Sequence, residues 1–460
     1  MLKAMKLPSP QRRSLLLASA GAAALYGVGA LAGLPPIAPL SMQRRVLANG
    51  LQFIALPAAG ATVSVQVWYR VGSKDDPDGR SGFAHLFEHM MFKSTRHMAN
   101  EQFDRMTEDV GGSNNAFTTE DMTAYHCVVP ANHLEPILWA EAERMSNLTV
   151  DQANFDSERA VVKEEYRQSV LSEPYGQLFN AVPGFGYQAH PYRRPVIGNL
   201  EDLDAATLAD LSEFHGNYYR PDNAVLIVAG AFDGAQLDAA VAHYFGSIPR
   251  PGRPIPRKIV LEPRRVRDQT HRLLSGQAPL PAALLIWQGP RADSPDAVVW
   301  QIAQAMLSLG ESARLTEGLV YGDQLAQSVG FEAQLNAEAG LLVAHAVAAK
   351  GTSAAGLATP LANEVQRLAE EPLAARELDK VKTQLITAAL IKRQTPQGLA
   401  EWVGMAAMLR GDAAAAGREL AALQAVSIAD VQRVVRRDVQ QAARVTLLYG
   451  PQVTPKGSRS

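Results

Sequence analysis

The sequence is poor in cysteine and in net charge, and each shortage excludes a class of protein. Its single cysteine, Cys127, allows no internal disulfide and no metal site made of several thiolates. The apolar setting of Cys127 in YHCVV predicts a small buried side chain rather than a nucleophile. The formal net charge of −2 over 460 residues provides no basic field. We therefore expect no nucleic-acid partner.

Long apolar runs are missing after the N-terminus, and the one that is present predicts export. It follows a basic start with paired arginines, Arg12 and Arg13, and its small residues offer a cleavage site before Gly33. This order is typical of a bacterial export signal of the twin-arginine kind. We predict that residues 1–32 are removed and that the protein is periplasmic. An uncleaved membrane anchor is the alternative, because the charge-free run reaches Met42.

The two halves of the sequence resemble each other, which predicts a duplicated fold. TLADLSEFHGNYYRPDNAVLIVAGAF and SIADVQRVVRRDVQQAARVTLLYGPQ match at a constant offset of 220 positions, so that Asp210 meets Asp430 and Gly230 meets Gly450. Two further pairs follow in the same order: SERAVVKEE with ARELDKVKTQL, and GFAHLFEHMMF with PDAVVWQIAQAML, which has no histidine. Three matches in one order indicate a repeated domain.

Strand-like alternation and helix-like periodicity occur together, so the predicted fold class is α+β with two homologous domains. The predicted boundaries are an N-terminal domain at 43–248, a Pro/Arg-rich linker at 249–268, a C-terminal domain at 269–452 and a tail at 453–460.

Two histidines and a glutamate interrupt an otherwise apolar helical stretch, GFAHLFEHMMF. His85 and His89 are four residues apart, so on a helix both imidazoles lie on one face and reach one Zn²⁺ ion at about 2.0–2.1 Å. Glu88 lies beside them, within reach of a water on the metal. The alternative is a pair of partly exposed histidines with a salt bridge, but the apolar neighbours argue against full solvation. The triplet predicts a catalytic zinc site with one zinc per chain.

A later helix supplies candidates for the third protein ligand that a catalytic zinc usually takes. In SERAVVKEEYRQ, Glu158 and Glu165 are seven residues apart and share a helix face, whereas Glu164 points about 100° away. We predict Glu165 as the third ligand and Glu158 as a group that orients a ligand without touching the metal. From the spacing alone, a solvated carboxylate face is an equally open interpretation.

Together these motifs resemble the pitrilysin/insulinase family of zinc peptidases. The resemblance extends over about residues 43–450 and is carried by GFAHLFEHMMF, GGSNNAFTTEDMTAYH, SERAVVKEEYRQ, HPYRRPVIG and YYRPDNAVLIVAG. It implies the fold of the mitochondrial processing peptidase, in which each of two homologous domains has an antiparallel-rich sheet covered by helices. It also implies the ligands His85, His89 and Glu165, since Glu165 lies 76 positions after His89, a spacing similar to that in the family.

The resemblance implies roles for residues outside the metal motif as well. In ESARLTEGLVYGD, Arg314 and Tyr321 look like the family's pair that binds the substrate carbonyl or oxyanion. Asn115 and Ala116 match the family's Asn-Ala on the strand that pairs with the peptide. The alternatives are an ordinary helix-end arginine, a core tyrosine and a turn asparagine.

The predicted function is zinc-dependent endopeptidase activity on extended peptides or unfolded polypeptides, with Glu88 as the general base. One chain carries both the metal motif and the Arg314/Tyr321 pair, which favours a homodimer; a heterodimer with a related subunit remains open. Two other functions also remain open. The first is a non-cleaving peptide-binding or assembly subunit, and the second is a zinc hydrolase acting on a non-peptide amide.

Overall fold

The computed structural model describes residues 40–451. The predicted export signal at residues 1–32 and the predicted tail at 453–460 lie outside these residues. Within residues 40–451, no helix is both long enough and apolar enough to cross a membrane.

The first half contains a six-stranded sheet. Its strands are β1 (Gln43–Val46), β2 (Gln52–Pro57), β3 (Thr62–Tyr69), β4 (Ser113–Thr118), β5 (Thr123–Pro130) and β6 (Ala224–Gly230). They lie in the order β1-β2-β6-β3-β5-β4, and all neighbours are antiparallel except the parallel pair β2 and β6. The run AVLIVAG of β6 is buried along its whole length, as expected for a strand in the middle of a covered sheet. At the far side, β4 is an edge strand.

Nine helices accompany this sheet: α1 (Phe83–Met90), α2 (Gln102–Glu108), α3 (Leu134–Asn147), α4 (Gln152–Tyr166), α5 (Gly176–Asn180), α6 (Val182–Gly186), α7 (Leu200–Ala205), α8 (Leu208–Tyr218) and α9 (Gly234–Phe245). The main core joins one sheet face to apolar side chains of α1, α3, α8 and α9, among them Phe87, Leu138, Phe214 and Val241. Burying a side chain of this size contributes about 1.5–3 kcal/mol. This core holds α1 against the sheet.

The second half contains a five-stranded sheet and six helices. The strands are β7 (Gln269–Ser275), β8 (Ala282–Gly289), β9 (Ala326–Leu335), β10 (Gly340–Ala348) and β11 (Val445–Pro451). The helices are α10 (Ala297–Ser308), α11 (Ala354–Glu370), α12 (Ala375–Lys392), α13 (Pro396–Leu409), α14 (Ala415–Ala425) and α15 (Ile428–Val435). The strand order is β7-β11-β8-β10-β9.

The two sheets share one topology, which confirms the predicted α+β fold with two homologous domains. In sheet order, β2-β6-β3-β5-β4 corresponds to β7-β11-β8-β10-β9, and the only parallel pair lies at the same place in each. Residues 220 positions apart occupy the same place in β6 and β11: Val225 begins the pairing with β2 at Gln52, and Val445 begins the pairing with β7 at Gln269.

Matching capping boxes begin α8 and α15. Thr207 accepts the backbone N–H of Asp210 at 3.2 Å, and Ser427 accepts that of Asp430 at 3.1 Å. The carboxylate of each aspartate in turn accepts the backbone N–H of its capping residue, at 3.1 and 3.0 Å. Since a capping box satisfies two unpaired N–H groups at a helix start, the two halves begin this helix by the same physical means.

The halves exchange helices across their sheets. The face of the first sheet opposite the main core packs against α13, and the apolar face of the second sheet packs against α5 and α6. A glycine permits the close approach at each contact. A Cβ at Gly404 would lie 2.4 Å from the ring of Trp68, and one at Gly186 would lie 2.4 Å from Leu341. The sequence did not predict this exchange.

A polar inter-half cluster joins the hairpin turns of the two sheets. Lys74 donates to Asp121 at 2.8 Å and to Glu338 at 2.7 Å. The hydroxyl of Tyr192 donates to Asp121, and His190 lies 3.1 Å from the second oxygen of Glu338. The HPY part of the HPYRRPVIG motif thus contributes to the junction of the halves.

The segment between the halves carries no regular element. Residues 246–268, which include the predicted linker at 249–268, form no helix or strand. Glu262 fastens this segment to the first half by accepting the backbone N–H groups of Gln188, Ala189 and His190 at 2.7, 3.0 and 2.9 Å.

Candidate metal centre

Helix α1 presents its polar triplet on the face that is turned away from the core. Phe83, Leu86, Phe87 and Met90 are buried, and the ring of Phe87 packs 4.3 Å from that of Tyr219, centre to centre. This periodicity leaves His85, Glu88 and His89 to face α4, with which α1 packs. The two imidazole rings lie 5.0 Å apart, centre to centre.

The start of α1 is fixed by groups outside the helix. Gly82, its N-cap, has no side chain to accept N–H groups, and Asp76 supplies this function by accepting from Gly82 and Ala84, each at 2.8 Å. Gly82 has φ +90, and a Cβ there would lie 2.8 Å from the carbonyl oxygen of Ile197. The segment HPYRRPVIG therefore also packs closely against the start of the helix that carries the polar triplet.

Helix α4 brings its carboxylates to the two histidines. It begins at Asp151, whose side chain accepts the N–H of Asn154 at 2.8 Å. One oxygen of Glu165 lies 3.7 Å from Nε2 of His85 and 3.6 Å from Nε2 of His89. These separations are too long for N–H···O hydrogen bonds, which fall at 2.7–3.2 Å.

The donor set fits a metal ion. One ligand atom from each of His85, His89 and Glu165 lies within 4.8 Å of the others. Ligand atoms about 2.0–2.1 Å from a tetrahedral Zn²⁺ lie roughly 3.4 Å from one another, close to the separations from Glu165. Two imidazole nitrogens and one carboxylate oxygen are a known protein ligand set for catalytic zinc. Nδ1 of His85 is buried and has no hydrogen-bond partner among the described residues.

Glu158 faces the opposite side of the His89 ring. Its Oε2 lies 3.5 Å from Nδ1 of His89, and its Oε1 accepts from Nζ of Lys93 at 2.7 Å. A carboxylate on the non-coordinating nitrogen of a histidine fixes the tautomer and the ring orientation. Lys93 was not predicted, because it lies beyond the end of α1 at Met90, where the helix period no longer applies.

Burial and charge set the protonation of the cluster. Burial and the neighbouring His89 lower the pKa of His85 to about 4, so this ring is neutral at pH 7. Burial also acts to lower the pKa of His89, but Glu158 and Glu165 outweigh it and raise the pKa to about 9. The neighbouring His89 in turn lowers the pKa of Glu165. A metal ion must displace the proton on His89, so metal uptake releases a proton.

Glu88 lies beside this cluster in a mostly buried position. Burial raises the pKa of its carboxyl group, while a hydrogen bond from Thr118 opposes that rise. Oγ1 of Thr118 donates to Oε2 of Glu88 at 2.5 Å. Neither Thr118 nor Asp76 was predicted, because each acts on α1 from outside the helix: Thr118 lies 30 positions after Glu88, and Asp76 lies six positions before Gly82.

Asn115 and Ala116 lie on the edge strand β4, which packs beside α1. Oδ1 of Asn115 accepts the backbone N–H of Ala116 at 2.8 Å. An edge strand offers unpaired backbone groups to an added strand. The predicted peptide-binding residues are therefore on a suitable edge next to the metal cluster.

Arg314 and Tyr321 are held within the second half. Arg314 makes two hydrogen bonds to Glu377, at 2.7 and 2.8 Å, and one of 3.4 Å to Glu371. Tyr321 is 53% exposed and its hydroxyl donates to Glu311 at 2.5 Å. The structure does not join either side chain to the cluster, and their role with substrate stays a prediction.

Comparisons with known proteins identify the family. The family description "Insulinase (Peptidase family M16)" matches residues 54–200, and "Peptidase M16 inactive domain" matches residues 205–385. The zinc protease PqqE of Helicobacter pylori is 31% identical over 340 residues, which span 73% of this chain and 76% of that relative. The chain belongs to the insulinase family, peptidase family M16, as the sequence motifs predicted.

Other relatives and structures extend this similarity. The crystal structure of a protease from Helicobacter pylori matches with a TM-score of 0.87 at 25% sequence identity, covering 90% of this chain and 100% of that one. Subunit 1 of the human mitochondrial cytochrome b-c1 complex is 27% identical over 315 residues, or 66% of this chain and 65% of the relative. Relatives of the chain thus include both named proteases and a named subunit of a larger assembly.

Proposed function

We propose that the chain is a zinc-dependent endopeptidase that hydrolyses peptide bonds in extended peptides or unfolded polypeptides. The observation that carries the proposal is the convergence of His85, His89 and Glu165 from two helices, with Glu88 beside them. The named zinc proteases among its relatives support the choice of metal and of reaction.

His85, His89 and Glu165 would hold the ion. When bound there, Zn²⁺ supplies Lewis acidity, which activates water for attack on a carbonyl carbon at neutral pH. Glu158 orients His89 through Nδ1, and Lys93 keeps Glu158 ionised and in place.

Glu88 acts as general base and then as general acid. With its Oε2 occupied by Thr118, the other oxygen, Oε1, is available to take a proton from the attacking water and to return it to the leaving amine. A positioned acid–base group of this kind contributes about 10²–10⁴ in rate. The raised pKa of Glu88 suits this exchange, because it brings the group closer to the operating pH.

The peptide would bind as an added strand along β4. The N–H of Ala116 is covered by its neighbour's side chain, so a substrate carbonyl can replace Oδ1 of Asn115 there. Arg314 and Tyr321 complete the proposal as donors to the developing oxyanion. For Arg314 this requires the substrate to compete with Glu377.

Glu88→Gln tests the proposal, because the amide keeps the size of the side chain and cannot take a proton. The variant should bind one zinc per chain and lose peptide cleavage by about 10²–10⁴-fold. The measurement is cleavage of a peptide library by purified wild type and variant, with zinc content determined alongside and a chelated sample as control. Near-wild-type cleavage by the variant would contradict the assignment.

A non-cleaving peptide-binding or assembly subunit is the second candidate. It is favoured by the cytochrome b-c1 subunit among the relatives and by the "inactive domain" match to residues 205–385. That match excludes His85, Glu88 and His89, which lie within the insulinase match. Zinc-loaded wild type that binds peptides and cleaves none would favour this candidate.

Export and assembly complete the proposal. We place the mature chain in the periplasm, on the pattern of residues 1–32; an N-terminal sequence of the mature protein that begins at Gly33 is the expected result.

We propose a homodimer, because one chain carries every predicted site residue. A heterodimer purified from the native source would contradict this.

A further inference from the structure

The hydroxyl of Thr118 makes the one hydrogen bond to the side chain of Glu88 that the described residues provide. Oγ1 of Thr118 lies 2.5 Å from Oε2 of Glu88. A carboxylate accepts and does not donate, so the threonine proton points to Glu88. Hydrogen bonds to an ionised group are short and strong. The contact therefore restrains one oxygen of a side chain that has three rotatable bonds.

Thr118 is itself rigidly held. It is the last residue of β4 and pairs with Thr123 across the hairpin. The N–H of Thr119 donates to the carbonyl of Met122 at 2.8 Å and closes the turn. The hydroxyl of Thr123 lies 3.4 Å from that of Thr118 and donates to the carbonyl of Val71 at 3.0 Å, so it does not compete for the acceptor on Glu88. The donor that Glu88 meets is fixed by the sheet rather than by another mobile side chain.

The same strand carries the predicted peptide-binding residues. Asn115 and Ala116 precede Thr118 by three and two positions on β4. A peptide that pairs with the edge of β4 is thereby placed in register with the group that holds Glu88. Catalysis requires the reacting atoms to be positioned within a fraction of an ångström. A single strand that positions both the Glu88 carboxylate and the peptide reduces the uncertainty in their relative placement.

We propose that Thr118 is a positioning residue: through its hydroxyl, β4 fixes the carboxylate of Glu88 relative to a peptide bound on the same strand. The proposal rests on the endopeptidase function proposed above. It assigns Thr118 no contact with the metal or with the substrate. Its effect should fall on kcat, because peptide binding along β4 needs only the backbone.

Three variants test this role. Thr118→Val keeps the shape and removes the donor, and should lower kcat by about 10–100-fold with KM within about twofold. Thr118→Ser restores the donor and should stay within about threefold of wild type. Thr446→Val removes a buried hydroxyl from β11 of the second sheet, so it controls for general destabilisation and should leave kcat unchanged. All variants should bind one zinc per chain.

Crystal structures of zinc-loaded wild type and Thr118→Val give a readout that does not depend on activity. Glu88 should hold one orientation in wild type and more than one in the variant. The proposal is overturned by an unchanged Glu88 in Thr118→Val, by equal losses in the Val and Ser variants, by a rise in KM alone, or by loss of zinc. If wild type binds zinc and cleaves nothing, the endopeptidase proposal fails, and the two structures still decide the role of Thr118.

Discussion

The two halves use one topology for different purposes. In the first half, α1 crosses α4, and the crossing brings together two histidines and the carboxylates of Glu158 and Glu165. In the second half, α10 packs against α12 at the corresponding place. The space beside that crossing is a mostly apolar groove of about 440 Å³, whose lining includes Gln304, Leu385 and Ala389. The same backbone arrangement thus supports a candidate metal site only where the side chains supply the ligands.

The second half contributes packing in place of ligands. Its helix α13 covers the first sheet, with Ala400, Val403 and Ala407 in the shared core. Its turn between β9 and β10 reaches Asp121 of the first half through the N–H of Ala337 at 2.8 Å. The sheet beside the candidate metal site is thus covered in part by the second half, whereas the three candidate ligands all come from the first half.

The largest effect should follow removal of a ligand from the first half. His89→Ala should reduce zinc affinity by more than the ~10–100-fold typical of a supporting group, and cleavage should fall to background. Metal analysis of the dialysed protein is the measurement, and chelation of wild type should give the same loss of activity, reversed by added zinc. Gln301→Ala, a change on α10, is the matched control and should alter neither. Equal zinc loss in both variants would contradict the assignment of zinc binding to the first half alone.

A smaller effect is expected from the group that orients His89. Glu158→Ala removes the carboxylate at Nδ1 of His89 and leaves Lys93 without its partner. Zinc affinity or activity should fall by about 10–100-fold. Glu164→Ala on the same helix is the control, since the side chain of Glu164 is exposed and bonds only Arg167 and Gln168. Competition with a zinc-binding dye measures the zinc affinity of each variant, and peptide cleavage measures its activity. Wild-type affinity together with wild-type activity in Glu158→Ala would remove Glu158 from the site.

The smallest effect should be equal in the two halves. Thr207→Ala and Ser427→Ala each remove one capping box, and each should destabilise the protein by about 1 kcal/mol without changing zinc content. Thermal unfolding should show a lowering of Tm of roughly 2–4 °C for each variant. A much larger loss of stability in one of the two variants would show that the two duplicated helices contribute unequally to the stability of the protein.

Local spacing was enough to predict the parts of the site that lie on one helix or one repeat. His85, Glu88 and His89 share a face because the helix period places positions three and four apart together. The same period predicted only that Glu158 and Glu165 share a helix face; the resemblance to the family favoured a place beside the histidines, and the structure brings both carboxylates there. The α+β class followed from strand alternation and helix periodicity, and the duplication followed from three matches in one order. In one of these matches Asp210 and Asp430, 220 positions apart, stand at matching helix starts.

Contacts between distant segments could not be predicted in this way. Thr118 reaches Glu88 across 30 positions, and the exchange of α13 onto the first sheet depends on packing that no local period encodes. Asp76 accepts the backbone N–H groups at the start of α1, because the N-cap residue Gly82 has no side chain to do so. The glycine at this helix start was the only sequence feature that indicated a need for such an acceptor. For Arg314, the motif predicted a contact with substrate, and the structure shows an ion pair with Glu377. The motif gave no sign of this partner, which lies on another helix.

Anomalous diffraction at the zinc edge, on crystals of the zinc-loaded chain, tests the central claim most directly. We expect one strong peak per chain between α1 and α4, about 2.0–2.1 Å from a nitrogen of His85, a nitrogen of His89 and an oxygen of Glu165. No peak is expected beside α10 and α12. A peak in the second half, or an ion in the first half bound without these three residues, would contradict the account.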